Sequence, residues 1–269
     1  MTNTALIIRR LARGVVPAVF VLAIAGYPLP AFAYRPFDGT DAAVAEPGEV
    51  EIELQPAGGI RQRTDQGAEK TLIAPAAVFN FGLSDGWEAV FQGQGQTPLS
   101  PAGPTSLTGA GAFLKHVLRP GTLQDKGGPS IATEFGVLLP DSTGENGFGA
   151  SVAGIISQRW DWGTVHFNTA AAITREHHAD LFVGTIVEGP AKWKVRPVAE
   201  TFYEEEFGQA HTVSGLVGAI WQVRENLAID VGLRHALVNG HPVEEIRGGV
   251  TFGFPLSFGG AKASQTAQR

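Results

Sequence analysis

The chain contains no cysteine, so neither a disulfide nor a thiolate metal site is open to it, and its stability has to come from packing and backbone pairing. Beyond residue 33 there is no run of 18 apolar residues, which excludes a membrane-spanning helix in that part. A basic surplus is missing as well: the formal net charge is −6, and the first 33 residues hold three Arg and no acid, so the remainder is more acidic still. That balance argues against nucleic acid as a partner.

What is present begins with Arg9, Arg10 and Arg13, an apolar stretch from Val15 to Ala25, and Ala31-Phe32-Ala33 in the small-x-small form of a signal-peptidase site. The pattern predicts a secretory signal peptide over 1–33 and a mature chain beginning at Tyr34. The apolar stretch is short for a bilayer span and Pro17 interrupts it. An exported chain without a spanning helix can still cross a bilayer as a closed β-barrel. The 35 Gly and 17 Pro suit turns and crowded barrel interiors and weaken any helical reading.

From Glu49 onward the sequence breaks into segments of about ten residues that alternate in polarity with period two, separated by turn signals. The clearest are Glu49 to Leu54, Trp193 to Glu204, and Ile246 to Phe258. Strands are predicted at 49–57, 72–83, 87–96, 107–118, 130–139, 148–159, 164–174, 180–188, 193–204, 212–223, 227–236 and 245–258. The fold class expected is therefore all-β: a closed antiparallel transmembrane barrel of about twelve strands over 34–258, in a Gram-negative outer membrane, with a polar tail at 259–269. Connections are expected to alternate between short inner turns and longer outer loops. Residues Arg119 to Pro129 depart from that rule, an inner connection that ought to be brief. Trp87, Trp160, Trp162, Trp193 and Trp221 all fall in or beside the short turns, as interfacial aromatics should. A soluble β-sandwich or lipocalin-type barrel has the same strand and turn signals. It gives no reason for Trp on one side.

Three stretches carry a resemblance to a known family. Residues Tyr34 to Glu53 (YRPFDGTDAAVAEPGEVEIE), an acidic leader punctuated by Pro and Gly before the first strand, resemble the start of the mature chain in the MetA-pathway phenol-degradation family of outer-membrane proteins. Gly136 to Gly144 (GVLLPDSTG) and the closing strand to Phe258 resemble it too. The resemblance covers most of 34–258 in layout and implies an outer-membrane transport barrel with a small aromatic or apolar solute. The chain departs from the usual barrel pattern in the eleven residues Gly259 to Arg269 that follow Phe258.

Candidate chemistry is sparse. His177 and His178, flanked by Glu176 and Asp180, are neighbours in a short loop, but adjacent residues on an extended chain point apart, so a solvated loop is expected and no metal site. His116, His166, His211, His235 and His241 lack ligand spacing. A lipase-type site would need a Ser with a His and an orienting acid or Asn. Ser151, Ser157 and Ser214 lie in predicted strands, and His166 with Asn168 lies on another, without an accompanying signature. A hydrogen-bond network in the lumen is the reading expected, and no enzyme. The Gly93-Gln94-Gly95-Gln96 and Gly109-Ala110-Gly111-Ala112 repeats sit in strands with no following helix, so they are not nucleotide loops.

The residues expected to face the lumen and line a pore are Glu88, Gln92, Gln94, Glu134, His166, Asn168, Lys194, Arg196, Glu200, Asp230, Arg234 and Arg247. Both signs of charge occur, and long side chains of opposite sign can bridge a narrow barrel and constrict it. The leading expectation is a channel or transporter, with outer-membrane lipid and a small-molecule solute as partners and no cofactor. A non-conducting structural or partner-binding barrel uses the same side chains. A barrel enzyme acting on lipid comes third.

Overall fold

A computed structural model describes residues 35–64 and 67–256. The predicted signal peptide, Tyr34, Phe258 and the tail at 259–269 lie outside the described residues. The strands are β1 (Glu49–Gln55), β2 (Gly58–Thr64), β3 (Gly67–Ser84), β4 (Trp87–Ser100), β5 (Ser106–Arg119), β6 (Ser130–Leu138), β7 (Gly149–Trp160), β8 (Gly163–Ile173), β9 (Ala179–Glu188), β10 (Val195–Glu206), β11 (Ala210–Arg224), β12 (Leu227–Val238) and β13 (His241–Pro255), with a 3₁₀ turn at Thr122–Gln124. Each pairs antiparallel with its sequence neighbour from β2 onward.

Closure comes from the first strand. Both β1 and β2 lie between β13 and β3, with Leu54 opposite Val250 and Gly59 opposite Ile246. They are two halves of one strand broken at Pro56-Ala57, where proline has no N–H to give the ladder. Counted that way the barrel has twelve strands, and the expected 49–57 segment is only the first half of its opening strand.

The alternation of each strand is inverted relative to a soluble protein. In β12, Ala228, Asp230 and Ala236 are buried, while Ile229, Val231, Leu233 and Leu237 are exposed. Val217 on β11 is 62% exposed, whereas Glu53, Lys115, Glu200, Asp230 and Arg247 are each buried. Apolar side chains left in water cost about 25 cal/mol per Å², so an outward apolar band with an inward charged set fits lipid outside and a polar lumen inside. A sandwich or lipocalin core would put these residues the other way round.

All five Trp sit toward one end, beside the turns at 85–86, 161–162, 189–194 and 225–226. Trp160, Trp162, Trp193 and Trp221 are about half exposed, and Trp87 stacks on His116 with ring centroids 4.0 Å apart. This is the inner end, where β1 begins and β13 finishes.

The expected contrast of loop lengths is not what the structure has. At the outer end β10 runs to Glu206 and β11 starts at Ala210, and β12 runs to Val238 before β13 starts at His241. Residues read as outer loops, such as Glu69, Lys70, Glu244 and Glu205, continue the ladder, because backbone pairing persists past the level where side chains need to be apolar. The long outer connection is 139–148. The 120–129 connection at the inner end, which looked anomalous, is folded: Leu123 is buried with Ala42, Ala43, Ala132 and Ile155.

Candidate functional site

The segment preceding β1, residues 35–48, does not leave the barrel. It enters at the inner mouth, where Gly48 N–H donates to Gly82 O (2.9 Å), and then crosses the lumen. Ala45 N–H donates to Glu88 (2.6 Å) and Ala42 N–H to Ser157 Oγ (3.0 Å). Thr40 is held twice by Asn168, whose Oδ1 accepts from Thr40 N–H (3.0 Å) and whose Nδ2 donates to Thr40 O (2.9 Å). Glu200 accepts from the Asp38 and Gly39 N–H groups (2.9 and 2.7 Å). Arg247 donates to Pro36 O and to Asp38, both at 2.8 Å.

An irregular segment in a lumen carries backbone donors and acceptors with no ladder to join, and leaving them unmade costs about 1–3 kcal/mol each. Wall side chains from β4, β7, β8, β10 and β13 supply the partners. Close approach also needs small wall residues: a Cβ at Gly232 would lie 2.9 Å from the Pro36 Cβ. From below, the 3₁₀ turn closes the inner mouth, with Gln124 Nε2 donating to Ala42 O (2.9 Å) and Leu123 packed on Ala42 and Ala43.

Charge is organised around this leader rather than from wall to wall. Arg247 binds Glu245 two residues along β13 (2.7 Å), and Arg234 binds the same Glu245 from β12 (2.7 Å). Arg196 binds Glu188 on the neighbouring strand (3.2 Å). Pairs that reach inward end on the leader: Arg247 with Asp38, and Lys115 with Asp41 (3.8 Å) and Thr40 Oγ1 (3.2 Å). Arg35 of the leader meets Asp230 at 3.6 Å. Burial alone would raise the Asp38 carboxyl, but the Arg247 and Arg234 guanidiniums hold it below the usual range. Burial prevails over Lys115 at Asp41, whose carboxyl is raised.

Of the residues expected to face the lumen, Glu88, Asn168, Glu200, Asp230 and Arg247 contact the leader. Gln92 and Glu134 line the open cavity above it, while Arg196 and Arg234 sit in wall pairs. Lys194 is corrected: it lies in the turn before β10 and is exposed, because Trp193 N–H bonds Pro190 O (2.9 Å) and the strand starts one residue later, at Val195. Lys115, Glu53, Asn80 and Glu188 were missed. Lys115 could have been found, since it stands between inward Phe113 and Val117 and next to outward Leu114, in a mid-strand position where a charge must face inward.

His166 takes part in a relay. Its Nδ1 lies 2.8 Å from Ser157 Oγ and its Nε2 3.2 Å from Glu188, which also binds Arg196. The set has the composition of a nucleophilic triad. Ser157, however, is fully buried and already accepts the Ala42 N–H, so its hydroxyl serves the leader. His178 bonds Glu206 (3.2 Å) at the outer end, and His177 adopts a positive φ of 67° in that loop.

Above the leader lies a cavity of about 410 Å³, lined by Phe37, Phe113 and Phe182, by Asn80, Gln92 and Lys115, and by Glu53, Glu88, Glu134, Asp180 and Glu204 among others. An outer vestibule of about 280 Å³ shares Leu138, Ala172, Asp180 and Glu204 with it and adds Glu145, Arg175 and Glu206. The two cavities therefore adjoin, one at the outer mouth and the other against the leader. Arg175 pins the 139–148 loop beside it through Leu139 O (2.6 Å) and Asp141 (3.5 Å).

Among solved structures the chain is similar to an outer-membrane channel from Pseudomonas putida F1, at 9% identity over 79% of this chain and 97% of that one, with a TM-score of 0.58. The fold is that of an outer-membrane β-barrel. The KdgM porin is similar at 12% identity over 76% of this chain and 99% of that one, with a TM-score of 0.49. No protein-family model and no curated protein sequence matches the chain. With its outward apolar band and girdle of Trp, the barrel belongs in the outer membrane.

Proposed function

We propose that the chain is an outer-membrane channel for a small solute, held shut at its inner end by its own leader. The observation that supports this most directly is the pair of adjoining cavities between the outer mouth and the leader, lined by carboxylates and phenyl rings and ending where residues 35–48 cross the lumen. The lining sets a preference. Six carboxylates against one lysine in the main cavity disfavour anions. Phe37, Phe113 and Phe182 give the lining an aromatic part suited to a neutral aromatic or apolar solute, which accords with the resemblance to the MetA-pathway family.

The leader is held by hydrogen bonds and ion pairs to side chains, not by a strand ladder, so it can leave without opening the barrel. A second reading, a barrel that never conducts and presents its outer loops to a partner, draws on the same seal. Planar-bilayer recordings on the refolded mature chain distinguish them. The channel reading expects small cation-selective steps that grow when the leader is loosened, and a reversal potential moved toward anions by the double change Glu134→Gln and Glu204→Gln. Silence in both the native protein and a variant lacking 35–47 would leave the non-conducting barrel standing.

A further inference from the structure

On the outer surface, near the outer end, a lipid-facing position on β2 carries no side chain. Gly59 of β2 pairs with Ile246 of β13 and Leu72 of β3, and a Cβ placed there would meet Ile246 Cγ2 at 3.7 Å, an ordinary contact. The gap opens a groove of about 540 Å³ with Leu99, Leu233 and Ile246 in its walls and Arg61, Lys70 and Glu244 along it. The three apolar residues are 55%, 57% and 55% exposed, so this chain leaves them uncovered.

The charges at the groove decide what covers it. Arg61 and Lys70 are register partners and share a face, and Arg63 follows two residues on, on the same side. Glu244 pairs in register with Arg61 and is divided between two guanidiniums, at 3.3 Å from Arg61 and 3.8 Å from Arg63. Lys70 makes no ion pair among the described residues. Of the other described Lys and Arg at this height, Arg234 is turned into the wall against Glu245, and Arg175 is turned to Leu139 O, Ala110 O and Asp141. On an acidic chain, the outward cations of the outer end are gathered at this one groove.

We propose that the groove holds an acyl chain of a phosphorylated glycolipid of the outer leaflet, with its phosphate taken by Lys70, Arg61 and Arg63. The two parts of the site match the two parts of such a lipid. The apolar walls regain close contacts that a bare cleft lacks. Three cations with one carboxylate between them leave a positive excess at headgroup level, and guanidinium groups suit phosphate oxygens. A phosphate on a sugar backbone at the outer leaflet is reached from this height, whereas the cationic side chains of the inner end, such as Lys192 and Arg224, stand on the other rim.

The test uses the delipidated, refolded mature chain in detergent, with bisphosphorylated hexa-acyl lipid A as the probe and native mass spectrometry as the readout. Retention of one lipid per barrel is expected, weaker by at least about tenfold in the double variant Arg61→Gln, Lys70→Gln. Filling the groove with Gly59→Leu should weaken it comparably, and Leu99→Asn serves as a second groove change if that variant does not assemble. Lys192→Gln should retain the lipid as the native chain does. Dephosphorylated lipid A held as tightly as the bisphosphate would overturn the headgroup assignment, and phosphatidylglycerol held as tightly would overturn the glycolipid. Undiminished retention in the charge and groove variants would remove the site altogether. Because the readout is binding, these outcomes are independent of whether the barrel conducts.

Discussion

Asn168 holds Thr40 by both of its backbone polar groups, accepting from the N–H at 3.0 Å and donating to the carbonyl at 2.9 Å. One wall side chain thereby does for the leader what a neighbouring strand does for a ladder. Asn168→Ala should leave both Thr40 groups unpaired at the centre of the seal, weakening leader docking by about 1–3 kcal/mol. The check is limited proteolysis of the leader together with bilayer current. Faster cleavage with larger or more frequent openings is expected, and an unchanged leader would show that Asn168 is dispensable to the seal.

Arg247 gathers Glu245, Asp38 and the Pro36 carbonyl on one guanidinium. Arg247→Ala strands Asp38 and the Pro36 carbonyl of the leader, while Glu245 keeps Arg234, at a cost of about 3–5 kcal/mol. Arg234→Ala should cost less, since Glu245 keeps Arg247. Heat-modifiable gel mobility against temperature ranks the two. A larger loss in Arg234→Ala would mean that the leader contact contributes little.

Val217 stands on the outward face of β11 at 62% exposure, mid-way along the strand. Val217→Arg should destabilise the barrel in bilayers by about 2–4 kcal/mol if that height is the membrane midplane. Urea titration in liposomes measures it. A neutral result would place the hydrocarbon layer elsewhere on the barrel.

Ser157 accepts the Ala42 N–H and contacts His166. Ser157→Ala should cost leader docking about 1–3 kcal/mol through the orphaned N–H, visible as faster hydrogen exchange at Ala42. Esterase assays on short-chain esters should give equal background rates for native and variant. A native rate that falls in Ser157→Ala would restore the hydrolytic reading of the Ser157, His166 and Glu188 set.

The amino-acid sequence by itself determined the barrel, because a period-two pattern of Val, Ile, Leu and Phe against Glu, Asn and Arg can be satisfied in lipid only by a closed sheet, and each strand carries its own copy of that pattern. It marked Glu88, Asn168, Glu200, Asp230 and Arg247 as inward for the same local reason. Only the tertiary structure decided that an acidic leader turns back into the lumen and that Arg247 meets Asp38, more than two hundred residues away along the chain. It also decided that Leu123, in a connection that looked too long, packs under Ala42. Those contacts depend on which strands face one another across the lumen, and alternation along a strand says which face a residue takes but not what stands opposite it.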